Sequence, residues 1–469
     1  MRDVVRFILN GVAAEVRAPD PTMTLLDWLR VERRLTGTKE GCAEGDCGAC
    51  TVMMVDAGGR VRAVNSCITF VPMVDGCAVT TVEGLGGNDP VQAALVELHG
   101  SQCGFCTPGF VMSLHAHRAK GGSAERGAIS DCFAGNLCRC TGYGPILEAG
   151  RVACAGSTRK LVTAQPDPEA LGYRRDDGRA FHAPETLDEL CALSEANPEA
   201  TLLGGATDVG LWVTKKGERP GTIISVMKVS ELQRIEETNG RVSIGAGVRY
   251  ADAMAALVDV HPAFGDYLRR LGAAQVRDSG TIGGNIANGS PIGDMAPVLI
   301  ALGATIRLRL GVAEREASLE QFFIAYGRQD RAPGEVVTQI HIPKPPQDAF
   351  VAFEKVSKRF EQDISAVSAG LFVRVADGVV SEARLAFGGM AGTPMRARGA
   401  EAALVGQAWG ETSVRAAMTA LATDFAPLSD WRASATYRME AAQGLLLRFF
   451  HQTQGDALRM ADLRSVAHG

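Results

Sequence analysis

Two sets of four cysteines within the first 140 residues constrain this chain more than any other feature. The first set is spaced C-x4-C-x2-C with a fourth cysteine further on, and consists of Cys42, Cys47, Cys50 and Cys67. This is the spacing of plant-type 2Fe-2S ligands. Glycines within residues 41–50 let the backbone bend and direct N–H groups towards sulfur atoms. The pattern therefore predicts a 2Fe-2S site.

The second set has a different spacing. It reads C-x2-C followed, after a long interval, by C-x-C, and consists of Cys103, Cys106, Cys138 and Cys140. Thr107 and Pro108 are typical of an N-cap and a first helical residue, so Cys106 is expected near a helix N-terminus, where a thiolate is stabilised. We predict a second 2Fe-2S cluster here. Cys132, six positions before Cys138, is an alternative ligand.

Zinc, disulfide bonds and inert buried thiols are the competing interpretations of these cysteines. Zinc usually takes paired C-x2–4-C knuckles, which the first set does not match. Disulfides belong to oxidising compartments, and Asp3 and Arg6 interrupt what would be the apolar part of a signal peptide. We therefore expect a reducing, cytoplasmic location. The remaining cysteines are interpreted as buried structural thiols: Cys77, Cys132, Cys154 and Cys191.

Length and charge narrow the class of protein. A chain of 469 residues is too long for one hydrophobic core. Its net charge of -5 gives no electrostatic case for binding nucleic acid or a membrane surface. The most apolar window, residues 295–306, is shorter than the roughly 20 residues needed to span a bilayer, and it contains Pro297. We expect a multi-domain enzyme component without nucleic-acid or membrane partners.

The order of local patterns predicts several domains. Asn10-Gly11 between two β-rich runs indicates a hairpin, and Thr24 with Asp27 indicates a helix start. Helical spacing of apolar residues begins at Pro90, where three histidines (His99, His115 and His117) are expected to be surface or cap residues. The predicted divisions are an α+β domain at 1–80, a helical domain at 81–155, a polar linker at 156–178, a glycine-rich domain at 179–345 and an α+β domain at 346–469.

Two glycine-rich segments stand out in the second half of the chain, at residues 202–210 and 281–294. Both can bring backbone N–H groups close to a diphosphate. Further donors are the hydroxyls of Thr207, Thr281 and Ser290 and the amide of Asn285, while the Asp294 carboxylate suits a ribityl or ribose hydroxyl. Glycine turns of this kind are also common as ordinary loops.

The sequence resembles the molybdenum hydroxylases over almost its whole length. The resemblance rests on GCAEGDCGAC with Cys67, on QCGFCTPGF with LCRCTGYGPI, and on LLGGATDVG with TIGGNIANGSPIGD. It implies an α+β multi-domain protein made of a β-grasp 2Fe-2S ferredoxin domain, a helical-bundle 2Fe-2S domain, a vanillyl-alcohol-oxidase-type FAD domain and an α+β C-terminal flavoprotein domain. The glycine-rich segments then become FAD-binding loops.

The resemblance also implies which residues contact FAD. They are Leu202, Leu203, Gly204, Gly205, Ala206, Thr207, Asp208, Thr281, Gly284, Asn285, Ser290 and Asp294. Leu271 stands where the better-known animal enzymes have an aromatic residue that stacks on the flavin. The eight cysteines of the two sets are the implied iron ligands, and no catalytic residue is expected on this chain beyond the flavin.

The function that this resemblance implies is electron relay in the xanthine dehydrogenase branch of the family, which oxidises hypoxanthine and xanthine to urate in purine catabolism. Electrons are expected to pass from molybdopterin-bound molybdenum on a large partner subunit through two 2Fe-2S clusters to FAD, and then to NAD. The partner is expected because no molybdopterin domain is recognisable in the sequence, and the implied assembly is a heterotetramer of two small and two large subunits. The alternatives are the same relay for an aldehyde or aromatic substrate, and a stand-alone iron-sulfur flavoprotein reductase.

Overall fold

The computed structural model describes residues 1–156, 164 and 169–455. These residues fall into two units. The first unit comprises Met1–Glu231 with the short segments Arg249–Ala251 and Gly272–Thr281. The second comprises Leu232–Val248, Asp252–Leu271 and the chain from Ile282 onward. Of the predicted linker at 156–178, residues 157–163 and 165–168 lie outside the described residues, and the linker assignment is wrong for its last part, where Gly172–Arg174 form a strand and Tyr173 is buried.

The N-terminal part of the first unit is a five-stranded mixed sheet. Its elements are β1 (Val4–Leu9), β2 (Val12–Arg17), α1 (Leu25–Asp27), β3 (Thr51–Val55), β4 (Val61–Asn65) and β5 (Ala78–Thr80). The strand order is β2-β1-β5-β3-β4, with β1 parallel to β5 and the other pairs antiparallel. Asn10 and Gly11 form the predicted hairpin turn, and the Thr24 side chain accepts a hydrogen bond from the Asp27 N–H at the start of α1.

Four helices follow the sheet: α2 (Pro90–Glu97), α3 (Thr107–Ala119), α4 (Arg126–Cys132) and α5 (Gly144–Cys154). The Asp89 carboxylate caps α2 through the Val91 N–H at 2.9 Å. The start of α3 differs from the prediction, because Thr107 is already helical and Cys106 occupies the N-cap position. Thr107 does not cap the helix, since its hydroxyl lies 2.7 Å from that of Ser101.

The first unit continues with a second sheet and two helices. Its elements are β6 (Gly172–Arg174), β7 (Ala180–His182), α6 (Leu187–Ala196), β8 (Thr201–Leu203), α7 (Val209–Thr214) and β9 (Thr222–Ser225), in strand order β6-β7-β9-β8. Phe7 from the N-terminal sheet and Trp28 from the helical turn directly after α1 share one hydrophobic core with Phe181, Leu203 and Ile223. Burial of these apolar side chains stabilises the packing of the two sheets against each other.

The second unit begins with another five-stranded sheet, of order β10-β11-β16-β12-β13. In chain order the elements are β10 (Ile235–Thr238), β11 (Arg241–Gly245), α8 (Tyr250–Val260), α9 (Ala263–Arg269), α10 (Ala274–Ser279), α11 (Ile282–Asn288), α12 (Met295–Leu302), β12 (Thr305–Leu310), β13 (Ala313–Ser318), α13 (Leu319–Phe322), β14 (Phe323–Ala325), β15 (Arg328–Gln329) and β16 (Val336–Pro343). The helix α10 and the first residues of α8 belong to the first unit.

The C-terminal part of the second unit is a four-stranded antiparallel sheet with three helices. Its elements are β17 (Ala349–Val356), β18 (Val367–Ala376), β19 (Val379–Gly388), β20 (Met395–Arg396), α14 (Arg398–Leu404), α15 (Glu411–Asp424) and α16 (Ala435–Thr453). Leu385 and Phe387 from β19 pack with Leu421 from α15 and with Leu446 and Phe449 from α16 in a separate core. The α+β architecture expected for the C-terminal part of the chain is confirmed.

The most apolar stretch of the sequence forms α12, and all eight of its residues are buried. This helix serves as a core element of the second unit, where it packs against β18 and β19. Within the described chain, no helix has both the length and the apolar character that crossing a lipid bilayer requires.

Candidate iron-sulfur and flavin sites

The loop at residues 41–50 surrounds a cysteine sulfur with backbone N–H groups. The N–H groups of Glu44, Asp46 and Cys47 lie 3.5, 3.3 and 3.3 Å from Sγ of Cys42. In return, the Cys42 N–H lies 3.3 Å from Sγ of Cys47. The pKa of Cys42 is lowered to about 5, mainly by a hydrogen bond with the Cys47 thiol and further by these N–H groups. The loop therefore favours a thiolate, which is the form that binds iron.

The other two thiols of the first set lie in the protein interior. Cys50 and Cys67 are buried, and their sulfur atoms are 3.3 Å apart. Asn65 links this pair to the loop, because its Oδ1 is 3.7 Å from Sγ of Cys50 while its Nδ2 donates to the Gly45 carbonyl at 2.8 Å. The neighbouring Cys50 thiol, followed by burial, raises the pKa of Cys67. The first set thus consists of two close pairs of thiols.

The second set also forms two pairs. Cys106 lies beside Cys138, and burial together with that hydrogen bond raises the pKa of Cys106 to about 12. Burial alone would raise the pKa of Cys138, but hydrogen bonds from Thr141 outweigh it and lower that pKa. Cys103 lies beside Cys140, and their hydrogen bond raises the pKa of Cys140. Both of these last two residues are exposed.

This donor arrangement fits two 2Fe-2S clusters. A cluster held by four cysteines contains two irons, and two pairs of thiolates per set suffice to complete them. All twelve cysteines lie in the described part of the chain, and none forms a disulfide there. Among the described residues, no group of three or more His, Cys, Asp or Glu side chains is arranged around a point that could hold a single metal ion. The assignment of the eight ligands remains a prediction.

The alternative ligand Cys132 is engaged elsewhere. Its sulfur lies 3.3 Å from the Ser113 carbonyl oxygen. Burial raises the pKa of Cys132, and the next largest contribution comes from Cys154 rather than from a member of the second set. Cys77 and Cys191 are buried, as expected of structural thiols, whereas Cys132 and Cys154, for which the same burial was expected, are only partly buried.

One of the three histidines was placed wrongly by the sequence argument. His115 is buried, and its Nδ1 lies 3.0 Å from Oδ2 of Asp89 at ion-pair distance. The expectation of a surface or cap position fails because α3 packs inside the helical domain, which buries this position of the helix. His99 is exposed, and Nε2 of His117 lies 2.9 Å from the Ser123 carbonyl oxygen.

The first glycine-rich segment packs closely on the end of α10 and the residues that follow it, within the first unit. A Cβ atom at Gly205 would overlap the carbonyl oxygen of Ser279, and one at Gly204 would lie 2.9 Å from Oγ1 of Thr281. Only glycine allows this approach. Asp208 has a protein partner, because its Oδ2 accepts a hydrogen bond from Trp212 Nε1 at 3.0 Å.

The second glycine-rich segment lies in the second unit beyond Thr281. Oδ1 of Asn285 is a buried polar atom without a hydrogen-bond donor among the described residues. Buried polar atoms normally have a partner, so this oxygen is available to accept a hydrogen bond from a ligand. Ser290 accepts from the Ile292 N–H at 3.4 Å. Leu271, which stands where the resemblance places an aromatic residue in the animal enzymes, is buried in the same unit.

The Asp294 carboxylate is already held by protein groups. Lys355 Nζ lies 2.7 Å from its Oδ2, and Ser365 Oγ donates to its Oδ1 at 2.5 Å. The Tyr267 hydroxyl donates to the Asp294 carbonyl at 2.7 Å. Sequence reasoning missed Lys355, which is fully buried in β17. The available signal was a lysine within an apolar strand, since a buried lysine needs an anionic partner.

The predicted FAD residues are therefore grouped within each unit. The first unit contains Leu202, Leu203, Gly204, Gly205, Ala206, Thr207, Asp208 and Thr281, and the second contains Gly284, Asn285, Ser290 and Asp294. The first group packs closely on protein backbone, and the second contains a buried amide oxygen that a ligand could satisfy. The individual contacts remain predictions.

Four family models match successive parts of the chain. Residues 7–72 match the 2Fe-2S iron-sulfur cluster binding domain, and residues 81–151 match the [2Fe-2S] binding domain. Residues 175–345 match the FAD binding domain in molybdopterin dehydrogenase, and residues 352–453 match the CO dehydrogenase flavoprotein C-terminal domain. Two iron-sulfur domains, an FAD-binding domain and a C-terminal flavoprotein domain follow one another, in the order that the sequence motifs indicated.

Curated relatives show the same likeness over most of the chain. The xanthine dehydrogenase of Drosophila subobscura is 36% identical over 84% of this chain and 35% of its own length. Aldehyde oxidase 4 of Cavia porcellus is 32% identical over 87% of this chain and 36% of its own length. The chain thus spans about a third of the length of these relatives.

A solved structure supports the fold of a large part of the chain. It is the carbon monoxide dehydrogenase from Hydrogenophaga pseudoflava that lacks the Mo-pyranopterin moiety of the molybdenum cofactor. The matched chain is 28% identical with a TM-score of 0.55, and the match covers 59% of this chain and 96% of that chain.

Proposed function

Because the chain belongs to the molybdenum hydroxylase family and carries its two iron-sulfur and two flavoprotein domains, we propose that it is the electron-transfer subunit of a xanthine dehydrogenase. In this proposal hypoxanthine or xanthine is oxidised to urate at a molybdopterin site on a large partner subunit, and the electrons leave this chain to NAD. When bound, the clusters carry single electrons and FAD exchanges them for a two-electron hydride transfer. The proposed assembly contains two small and two large subunits.

The observation that carries the proposal is the convergence of eight cysteines into two sets of paired thiols. In the first set, N–H groups of Glu44, Asp46 and Cys47 point at one sulfur, and the pair Cys50 and Cys67 is excluded from solvent. In the proposed function these residues hold iron, and their hydrogen bonds and burial set the reduction potential. The chain needs no general acid or base for this task.

The flavin side of the proposal rests on the two glycine-rich groups. Gly205 lets the first segment lie against the backbone at Ser279, an approach that a side chain at this position would prevent. Lys355 and Ser365 fix the Asp294 carboxylate in the second group. We propose that these groups orient the cofactor, with the Asn285 amide as one of its hydrogen-bond partners.

A second candidate keeps the relay and changes the substrate. Aldehyde oxidase 4 of Cavia porcellus matches this chain almost as well as the xanthine dehydrogenase of Drosophila subobscura, and a carbon monoxide dehydrogenase shares the fold. The substrate is recognised at the molybdenum site, which the four matched domains do not include. The choice between these substrates therefore needs a measurement on the assembled enzyme.

The test is purification of the chain from its native expression context together with any co-eluting partner. Iron, sulfide, FAD and molybdenum are quantified, and xanthine-dependent reduction of NAD is assayed. We expect about four irons and about one FAD per chain, molybdenum on a large partner, and NADH formed from xanthine. A molybdenum partner that is inactive on xanthine but active on an aldehyde would select the second candidate. Loaded iron and flavin without any molybdenum partner would select a stand-alone reductase.

A further inference from the structure

The two cysteine loops touch through their backbones within the first unit. The Leu137 N–H donates a hydrogen bond to the Cys47 carbonyl at 3.1 Å. Cys47 is a predicted ligand of the first cluster, and Leu137 directly precedes Cys138, a predicted ligand of the second. A continuous path of covalent bonds interrupted by one hydrogen bond therefore joins a ligand of one cluster to a ligand of the other.

The side chain of Asn136 reinforces this contact. It is buried, and its Nδ2 donates to the Gly48 carbonyl at 3.1 Å, one residue beyond Cys47. Gly48 has φ +69°, and a Cβ atom there would overlap the carbonyl oxygen of Gly135. The absence of a side chain at Gly48 is thus what lets the two loops come within hydrogen-bond distance.

Gln275, on α10 of the flavin-binding region, completes the network. It is fully buried, and its Nε2 lies 2.9 Å from Oδ1 of Asn136, 3.1 Å from Oγ of Ser113 and 3.2 Å from Oγ1 of Thr51. One amide group therefore contacts both cysteine-bearing domains and the side chain that holds their loops together. A buried polar network of this kind fixes relative position, because an alternative arrangement would leave its members unpaired.

We propose that the hydrogen bond from Leu137 to Cys47 is the main electronic connection between the two clusters, and that Gln275 is a positioning residue that keeps it short. The inference rests on the proposed electron relay. A single electron passes between the two sets, with no bond made or broken and no proton transferred. Electronic coupling falls more steeply across a gap than along bonds, so the rate of this transfer depends on the length of the one hydrogen bond in the path.

The first experiment compares Gln275→Leu with the wild-type protein in the loaded, full-length form. The substitution keeps the volume and removes the amide donor. We expect both clusters to load, with unchanged iron and sulfide content and unchanged midpoint potentials. Time-resolved spectroscopy after photoreduction measures the rate of electron transfer between the clusters. We expect this rate to fall on the order of 10-fold, similar to the loss of activity caused by mutating groups that hold metal ligands. Hydrogen exchange at the Leu137 amide should become faster.

The matched control is Asp278→Asn on the same helix. Asp278 also joins both domains, because its Oδ2 accepts from the Ala63 N–H at 2.8 Å and from Lys120 Nζ at 2.7 Å. It does not bond to either cysteine loop through these contacts. We expect this variant to lose stability but to keep the wild-type rate of electron transfer between the clusters. This result would distinguish positioning of the Leu137–Cys47 hydrogen bond from a general effect on the packing of α10.

A second variant tests the Leu137–Cys47 hydrogen bond directly. Replacing the Leu137 amide with an ester, by incorporating the corresponding hydroxy acid at that position, removes the N–H donor and leaves every side chain in place. Slower electron transfer between the clusters at unchanged midpoint potentials supports the proposal. This test remains valid even if Gln275→Leu fails to bind its clusters. An unchanged rate in the ester variant overturns it. Absence of both cluster signals from the wild-type protein would instead refute the proposed function itself.

Discussion

The thiols of the two sets lie in different environments. Cys50 and Cys67 are 1% and 3% exposed, whereas Cys103 and Cys140 face solvent. Hydrogen bonds to sulfur and exposure to solvent are among the factors that set the potential of an iron-sulfur cluster. We therefore expect the two clusters to have distinct midpoint potentials and distinct EPR signals. Such a difference allows each cluster to be followed separately.

Serine substitutions test the ligand assignment in the second set. We expect Cys138→Ser to abolish the EPR signal of one cluster and to halve the bound iron approximately, because it removes one of four thiolates. Cys132→Ser should keep both signals, since that thiol is engaged with the Ser113 carbonyl. Loss of a cluster in Cys132→Ser alone would show that the ligand choice is wrong. Cys154→Ser serves as a control thiol outside both sets.

Gly48→Ala tests the close approach of the cysteine loops. The new Cβ would overlap the Gly135 carbonyl, and such overpacking costs about 1–3 kcal/mol beyond the strain of a positive φ. Gly59→Ala is the matched control, because Gly59 has φ +79° with no atom within 4 Å of a new Cβ. The measurement is the urea midpoint of each variant. Equal losses in both variants would mean that the contact at Gly48 contributes nothing.

Asp75 carries a pH-dependent part of the stability of the first unit. Burial alone would raise the pKa of Asp75, but Arg2, at 2.6 Å, and Lys228 outweigh it and hold that pKa below the usual value. A carboxylate with a depressed pKa stabilises the fold above its unfolded pKa of about 3.9, and this stabilisation is lost as the pH falls through the folded pKa.

The corresponding variant is Asp75→Asn. At pH 7 we expect it to lose about 3 kcal/mol of unfolding free energy, because it leaves the buried Arg2 without its anionic partner. The gap to the wild-type protein should stay constant from pH 8 to pH 5 and narrow below about pH 4. Urea unfolding at a series of pH values measures it. A gap that grows on acidification would contradict the assigned direction of the pKa shift.

At the scale of elements, local sequence patterns predicted the structure correctly where the interacting residues belong to the same short segment. Asn10-Gly11 and the Thr24 cap are such cases, since both depend on residues close in sequence. The start of α3 was predicted one residue late, because the Thr107 hydroxyl is taken by Ser101 rather than by the helix N-terminus. The burial of His115 depends on packing between helices, which periodicity alone does not reveal.

The junction between the first glycine-rich segment and the end of α10 yields a prediction about the flavin. In Gly205→Ala the added methyl group would displace the backbone near Ser279 and shift the loop proposed to hold the cofactor. We expect the purified variant to retain less than half of the wild-type FAD while keeping its iron. Gly221→Ala is the control, since a Cβ there meets no atom within 4 Å. Full flavin content in Gly205→Ala would remove this segment from the proposed site.

At the scale of the whole molecule, the motifs predicted the sequence of domains but not how individual residues join them. The four cysteine and glycine motifs are local, so their order along the chain could be read directly, and the family models confirm that order. The role of Gln275 could not be read in the same way, because Thr51, Ser113 and Asn136 are all more than 130 positions away along the chain. The pairing of Lys355 with Asp294 was missed for the same reason.

The central claim is that this single chain holds two 2Fe-2S clusters and one flavin in electronic communication. The measurement that tests it most directly is a reductive titration of the purified protein, followed by EPR and by flavin absorbance. We predict two distinct cluster signals, bleaching of the flavin, and complete reduction after about four electrons per chain. A single cluster signal, or reduction that leaves a bound flavin oxidised, would contradict the account.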